Sequence, residues 1–225
     1  MNKWRLTGGL DSLRPTERVS SDDRMSLASE RGSTPLQVGA VLMLDTRDGL
    51  DPGLVEAAIA RRVTAVPRLR QRLVKVPWGC GRPVWVDDPD FAVTSHLRVT
   101  PCPAPGGESA VLGVAAEMLV TRLPRDRPLW AARLVTDTGL GEAALIIVFH
   151  HVLADGIGGL AVLASLVDGA AKPRDRRFPL PMPSRRHLAL QAAMDPRRSS
   201  PTFPAFPRRL PVDASLLLPG TGLYT

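Results

Sequence analysis

The stretch EAALIIVFHHVLADGIGG, residues 142–159, runs from an unbroken apolar segment into two adjacent histidines, an aspartate and three glycines. Ala143–Phe149 is far too short to cross a bilayer but suits a buried strand. The turn DTGLG (137–141) precedes it, and AARLV (131–135) reads as its partner in a β-hairpin with a long loop. After the histidines, GGLAVLASLVDGAA (158–171) is apolar nearly all round, which predicts a buried helix. The chain has four histidines in all. Two of them stand side by side where a buried strand yields to a loop and then a helix.

The upstream elements follow the same logic. LQVGAVLML (36–44) reads as a buried strand, closed by Asp45 and the polar turn TRDG. Asp51 as N-cap and Pro52 at the first helical position open a helix with Leu54, Ala57, Ala58 and Val63 on its apolar stripe. Pro67 ends it. PRLRQRLVKV then alternates Leu69, Leu73 and Val76 with cations, and the Gly/Pro-rich WGCGRPVWV marks a hairpin before the acidic turn DDPD. Residues 108–120 form a second helix with a broad apolar face. Strands interleaved with helices indicate a layered α/β sandwich.

Charge divides the chain. Residues 1–171 carry 19 Lys/Arg and 19 Asp/Glu; residues 172–225 carry 10 and 3, which accounts for the whole net charge of +7. Ten of the 22 prolines also fall after residue 171. The chain therefore divides into a neutral body, 1–171, and a basic Pro/Arg-rich tail, 172–225, in which only SRRHLALQAAM suits a helix. The tail has few aromatics for stacking on bases, which argues against nucleic acid. Its cations suit anionic lipid headgroups. Two cysteines, Cys80 and Cys102, make no disulfide framework and fit a reducing compartment. MNKWRLTGGLDSL has no secretory apolar region, so the expectation is a cytoplasmic protein.

Three readings of His150 and His151 stand on residues alone. They cap a strand as satisfied core residues, they ligate a metal, or one of them moves protons. A metal site needs at least three protein ligands; His96 and His187, the remaining histidines, have no ligand-like neighbours, so no metal is expected. A Ser-His-Asp hydrolase would show a G-x-S-x-G elbow, which is absent. Imidazole is the common side chain that gains and loses protons near neutrality. Ligands gather at the carboxyl ends of strands in open α/β folds, which is where the pair lies.

His150-His151-Val152-Leu153-Ala154-Asp155-Gly156 resembles the HHxxxDG signature of CoA-dependent acyltransferases, the superfamily of chloramphenicol acetyltransferase and peptide-synthetase condensation domains. LQVGAVLMLD (36–45), VPRLRQRLVKVPWGCGRPVWVDDPDF (66–91) and RPLWAARLV (127–135) narrow the resemblance. It runs from about Leu6 to Gly169 and is to the N-terminal half of bacterial wax ester synthase/diacylglycerol acyltransferases. The resemblance implies a chloramphenicol-acetyltransferase-like two-layer α/β sandwich, one half of a two-half architecture. It implies His151 as the general base of an O-acyltransferase. That base would activate diacylglycerol or a fatty alcohol against a long-chain acyl-CoA, with no cofactor beyond this substrate. Asp155 would hold the loop by pairing with an arginine, with Arg70 the candidate, and Gly156 would let the loop pass close to the reacting centre. A second chain supplying the C-terminal half, or self-association, would cover the open face, and peripheral contact with the inner membrane or lipid inclusions would suit the substrates. The alternative is a non-catalytic remnant or partner subunit of such an enzyme.

Overall fold

Strand β6 (Glu142–His150) is hydrogen-bonded on both edges. It runs antiparallel to β1 (Gln37–Asp45) on one side and to β5 (Trp130–Thr136) on the other. Beyond β5 lies β4 (Leu97–Pro101) in parallel, giving the sheet order β1-β6-β5-β4. The computed structural model describes residues 16–30, 34–47, 49–139, 141–153 and 178–194. The helix expected over 158–171 lies outside them, as do Asp155 and Gly156.

Why β6 is apolar at successive positions follows from its surroundings. Ala143, Leu145, Ile147 and Phe149 enter a core with Ile59 and Val63 of helix α2 (Pro52–Ala65), Leu69 and Trp130. Ala144, Ile146 and Val148 enter a second core with Val111, Val114 and Met118 of helix α3 (Gly107–Val120). A strand covered on both faces has no solvent side on which to alternate polar residues. Each large side chain so buried contributes about 1.5–3 kcal/mol relative to exposure.

The expected α2 forms as read, with Asp51 Oδ1 accepting from the Gly53 amide at 2.8 Å and Pro52 at its start. Helix α3 has a further role that the sequence reading did not anticipate. Parallel strands need a crossover, and α3 provides it between β4 and β5. β4 escaped notice because it is an edge strand whose only buried residue is Leu97, so it carries no periodic signal. Gly106, at φ +85°, permits the entry to α3: a Cβ there would meet the Thr138 carbonyl at 3.1 Å.

The stretch 36–44 is a strand, but not a buried one. β1 is the sheet's other edge, and Val38, Val41 and Met43 are exposed. An apolar run signals a strand without saying whether one or two neighbours flank it. Gly39 admits α3 closely, since a Cβ would lie 3.2 Å from Leu119 Cδ2. Next to it, Gln37 ties the two elements: Nε2 donates to the carbonyls of Met118, Leu119 and Thr121, and Oε1 accepts from the Leu123 amide at 2.9 Å. Those are carbonyls that a helix terminus leaves without internal partners.

A smaller sheet pairs β2 (Gln71–Val74) with β3 (Val84–Asp87), and the Gly/Pro stretch is its connection. A short 3-10 turn, Pro67–Arg70, precedes it. Helix α4 (Arg185–Met194), within SRRHLALQAAM, sets Leu188 against Cys80, Val84 and Val86. Arg18 fastens it, donating to the carbonyls of Cys80, Arg82 and Leu188. At the other end, helix α1 (Ser21–Ser29) begins with a reciprocal Ser20–Asp23 capping box.

Gln37→Ala should lower unfolding free energy by about 1–3 kcal/mol, the cost of leaving partly buried backbone groups unpaired. Gln37→Glu should cost at least as much, because it cannot donate. Urea denaturation of both checks this, and a variant as stable as wild type would remove Gln37 from the cap.

Candidate functional site

β6 ends at His150, and a 3-10 turn, His151–Leu153, takes over. The two histidines leave the strand into different surroundings. His150 is buried, at 1% exposure. Its Nδ1 accepts from the Val152 amide at 3.1 Å. A nitrogen that accepts holds a lone pair, so the ring proton sits on Nε2. Nε2 faces Glu30 Oε2 at 3.5 Å. The guanidinium of Arg125 lies 3.3 Å from the same nitrogen, but two donors cannot bond each other, so Arg125 acts here as a neighbouring cation. Burial first, then Arg125 and His151, push the His150 pKa down from 6.5 to about 4. His150 is a neutral imidazole whose Nδ1 holds a backbone amide and whose Nε2 faces a buried carboxylate.

His151 differs. Its backbone N–H donates to the Leu36 carbonyl at 2.9 Å. Its ring is partly exposed, and Nδ1 is buried without a hydrogen-bond partner among the described residues. The satisfied-core reading of the pair therefore fits His150 and not His151.

Glu30, which caps the C-terminus of α1, is the hub beneath them. Its side chain is 1% exposed and in contact with the Arg125 guanidinium, which is 41% exposed. Burial pushes the Arg125 pKa down. Glu30 Oε1 accepts from the Leu36 amide at 3.2 Å. Arg125 sits on the α3–β5 connection, which Gln37 holds through Leu123. Neither Glu30 nor Arg125 stood out in the sequence. The Ser20–Asp23 box signals α1, but nothing in SERGS says that its glutamate is buried.

Arg70, the expected partner of Asp155, is buried at 3% exposure, with its guanidinium 4.2 Å above the Phe178 ring. Its turn is held to the histidine end of the sheet, because Trp130 Nε1 donates to the Leu69 carbonyl at 2.6 Å and Trp130 faces Phe149 across β5–β6. The pairing with Asp155 and the role of Gly156 fall outside the described residues. His96 is a core residue stacked on Trp130 at 4.5 Å; it donates from Nδ1 to the Trp130 carbonyl, and burial lowers its pKa. His187 lies on α4. Among the described residues no three His, Cys, Asp or Glu side chains gather as a metal site, and no helix is long and apolar enough to cross a membrane.

The His150 shift has a consequence for stability. The unfolded imidazole binds a proton near 6.5 and the folded one only near 4. Stability from neutral His150 is thus complete above about 6.5 and is lost as pH falls toward 4. His150→Gln should flatten the pH dependence of urea unfolding over that window. His96 contributes in both proteins, so the difference isolates His150. Identical profiles would refute the assignment of His150 as a buried neutral group.

Comparison with known proteins places this geometry. The wax ester synthase/diacylglycerol acyltransferase catalytic domain matches residues 19–212. A Mycobacterium tuberculosis (strain CDC 1551 / Oshkosh) protein named probable diacylglycerol O-acyltransferase tgs3 is 32% identical over 157 residues, covering 69% of this chain and 58% of its own. The tgs1 protein of the same strain is 33% identical over 133 residues, covering 59% and 28%. Among solved structures, a wax ester synthase/diacylglycerol acyltransferase from Marinobacter aquaeolei VT8 superposes with a TM-score of 0.56 at 24% identity, over 66% of this chain and 36% of that one. The first condensation domain of the calcium-dependent antibiotic synthetase gives 0.57 at 20% identity, over 71% and 40%. These likenesses show the chloramphenicol-acetyltransferase-like α/β fold. The chain spans less than two thirds of the length of each of these proteins.

Proposed function

Because the chain belongs to the wax ester synthase/diacylglycerol acyltransferase family, we propose that it carries the proton-transfer centre of an O-acyltransferase, with His151 as general base. One observation carries the reading: of two adjacent imidazoles, His150 is buried with Nδ1 committed to a backbone amide and Nε2 facing a buried carboxylate, whereas the His151 ring is partly exposed. A general base needs a lone pair free for the substrate proton. His151 takes the proton of an alcohol hydroxyl as its oxygen attacks the thioester carbonyl of an acyl-CoA. The tetrahedral intermediate collapses, the C–S bond breaks, and the proton passes from His151 to the departing CoA sulfur. The products are an oxygen ester and free CoA. Diacylglycerol and long-chain alcohols are the acceptors that fit the relatives' names. The walls that hold both substrates in line are shared with the second half of the two-half architecture.

His151→Ala should reduce transfer from radiolabelled acyl-CoA to diacylglycerol or hexadecanol by about 10²–10⁴-fold, the usual contribution of a positioned base. Folding and acyl-CoA binding should be retained. The assay is run with and without a chain supplying the C-terminal half, with diacylglycerol presented in vesicles. Equal rates for wild type and His151→Ala in the active assembly would sink the role. No transfer in either assembly would favour a binding or partner-subunit role.

Asp155 acts in this reading by holding the loop against Arg70, a buried cation that is costly to leave unpaired. Asp155→Asn and Arg70→Ala should each lower the melting temperature. The double variant should lose less than their sum, since contacting partners couple. Strict additivity in that cycle would show that Arg70 is not the partner.

A further inference from the structure

The engagement of His150 does not stop at its ring. One hydrogen-bonded path and one path through a close polar contact leave the Glu30 carboxylate and end on either side of His151. Along the first, Oε1 accepts the Leu36 amide at 3.2 Å, and the Leu36 carbonyl accepts the His151 amide at 2.9 Å. Along the second, Oε2 faces the Nε2 proton of His150 at 3.5 Å, and His150 Nδ1 accepts the Val152 amide at 3.1 Å. The residue between those amides is the one whose ring carries a nitrogen without a partner among the described residues. Arg125 touches the same carboxylate at Oε2.

We propose that Glu30 is a positioning residue: its two oxygens clamp the backbone on both sides of His151 and fix which nitrogen of His150 carries the proton. The inference rests on the reading of His151 as the base. The physical requirement is directional. The second path works only if His150 donates from Nε2 and accepts at Nδ1. A carboxylate enforces that order because it has no proton to give. A carboxamide in its place presents an NH₂ to one of the two paths. If it faces His150, it stabilises the opposite tautomer, with the proton on Nδ1, where it repels the Val152 amide. Glu30→Gln is nearly isosteric, so it changes hydrogen-bond polarity with little change in volume. Packing alone cannot account for such an effect.

The test uses nitrogen-15 spectra of the full chain at neutral pH, with the histidines assigned by single substitutions. Wild-type His150 should be neutral and protonated on Nε2. Glu30→Gln should shift it toward the Nδ1-protonated form. Hydrogen exchange at the His151 and Val152 amides should accelerate by about tenfold or more, as expected for losing a charge-assisted bond. Exchange at the Ile146 amide, in the middle of β6, should stay unchanged. That contrast separates local release from general loss of stability, which moves all three together. In the active assembly kcat should fall on the order of 10- to 100-fold, with KM for acyl-CoA within about twofold, as for a displaced catalytic group.

A wild-type His150 that is protonated on Nδ1, or doubly protonated, overturns the proposal, and this measurement needs no variant. An unchanged tautomer with unchanged exchange in Glu30→Gln overturns it as well. So does an effect confined to KM, which would place Glu30 in substrate binding. If wild type shows no acyl transfer, the functional reading fails, while the tautomer and exchange results still decide whether Glu30 clamps the turn.

Discussion

Burial of β6 on both faces constrains everything around it. A strand with α3 against one side and the α2 core against the other cannot carry a polar group along its length without stranding it away from water. Past Glu142 at its start, the first residue that can titrate is therefore the one at which the strand stops. His150 stands there, still inside, and His151 follows where the backbone turns out of the sheet. The strand acts as a rigid post, held on both edges by hydrogen bonds. Whatever it presents at its tip is presented with little freedom. Sites on such supports are more exact than sites on loops.

The two adjacent histidines stand in different surroundings. A ring that accepts a backbone amide and faces a carboxylate is held in place, and for that reason has no lone pair left for chemistry. His150 is in that condition, and its environment pushes it to remain neutral. His151 is held by its backbone instead, through Leu36, and its ring is partly exposed. The first of the two also ties down the turn that the second opens, through the Val152 amide.

The charge that this requires is brought from distant parts of the chain. Glu30 ends α1, and Arg125 comes from the connection after α3. Gln37 links the two regions, since it pairs with His150 across β1–β6 while capping α3 and holding Leu123. A buried carboxylate is tolerated because it has a cation and hydrogen-bond donors; alone it would be costly. On the opposite core, Trp130 carries out a similar connection by polar means, reaching Leu69 and supporting His96. The basic residue next to Leu69, Arg70, is thereby brought to the sheet end where the histidines lie.

Local signals settled a good part of this protein. The apolar run at 143–149 required a buried strand, Asp51-Pro52 required a helix start, and the alternation of polar turns with apolar segments required an α/β layout. The HHxxxDG resemblance identified the family and drew attention to His151. These are properties of neighbouring residues, so composition and spacing express them. Three things were decided only by tertiary structure. β1 and β4 became sheet edges, because strand order depends on which segments meet and not on their own composition. His150 and His151, identical in type and adjacent, acquired different surroundings, because only one of them is buried facing Glu30. Glu30 and Arg125 became partners although they lie far apart in the chain. No periodicity marks such a pair, since the energy of a buried charge depends on what the fold places beside it.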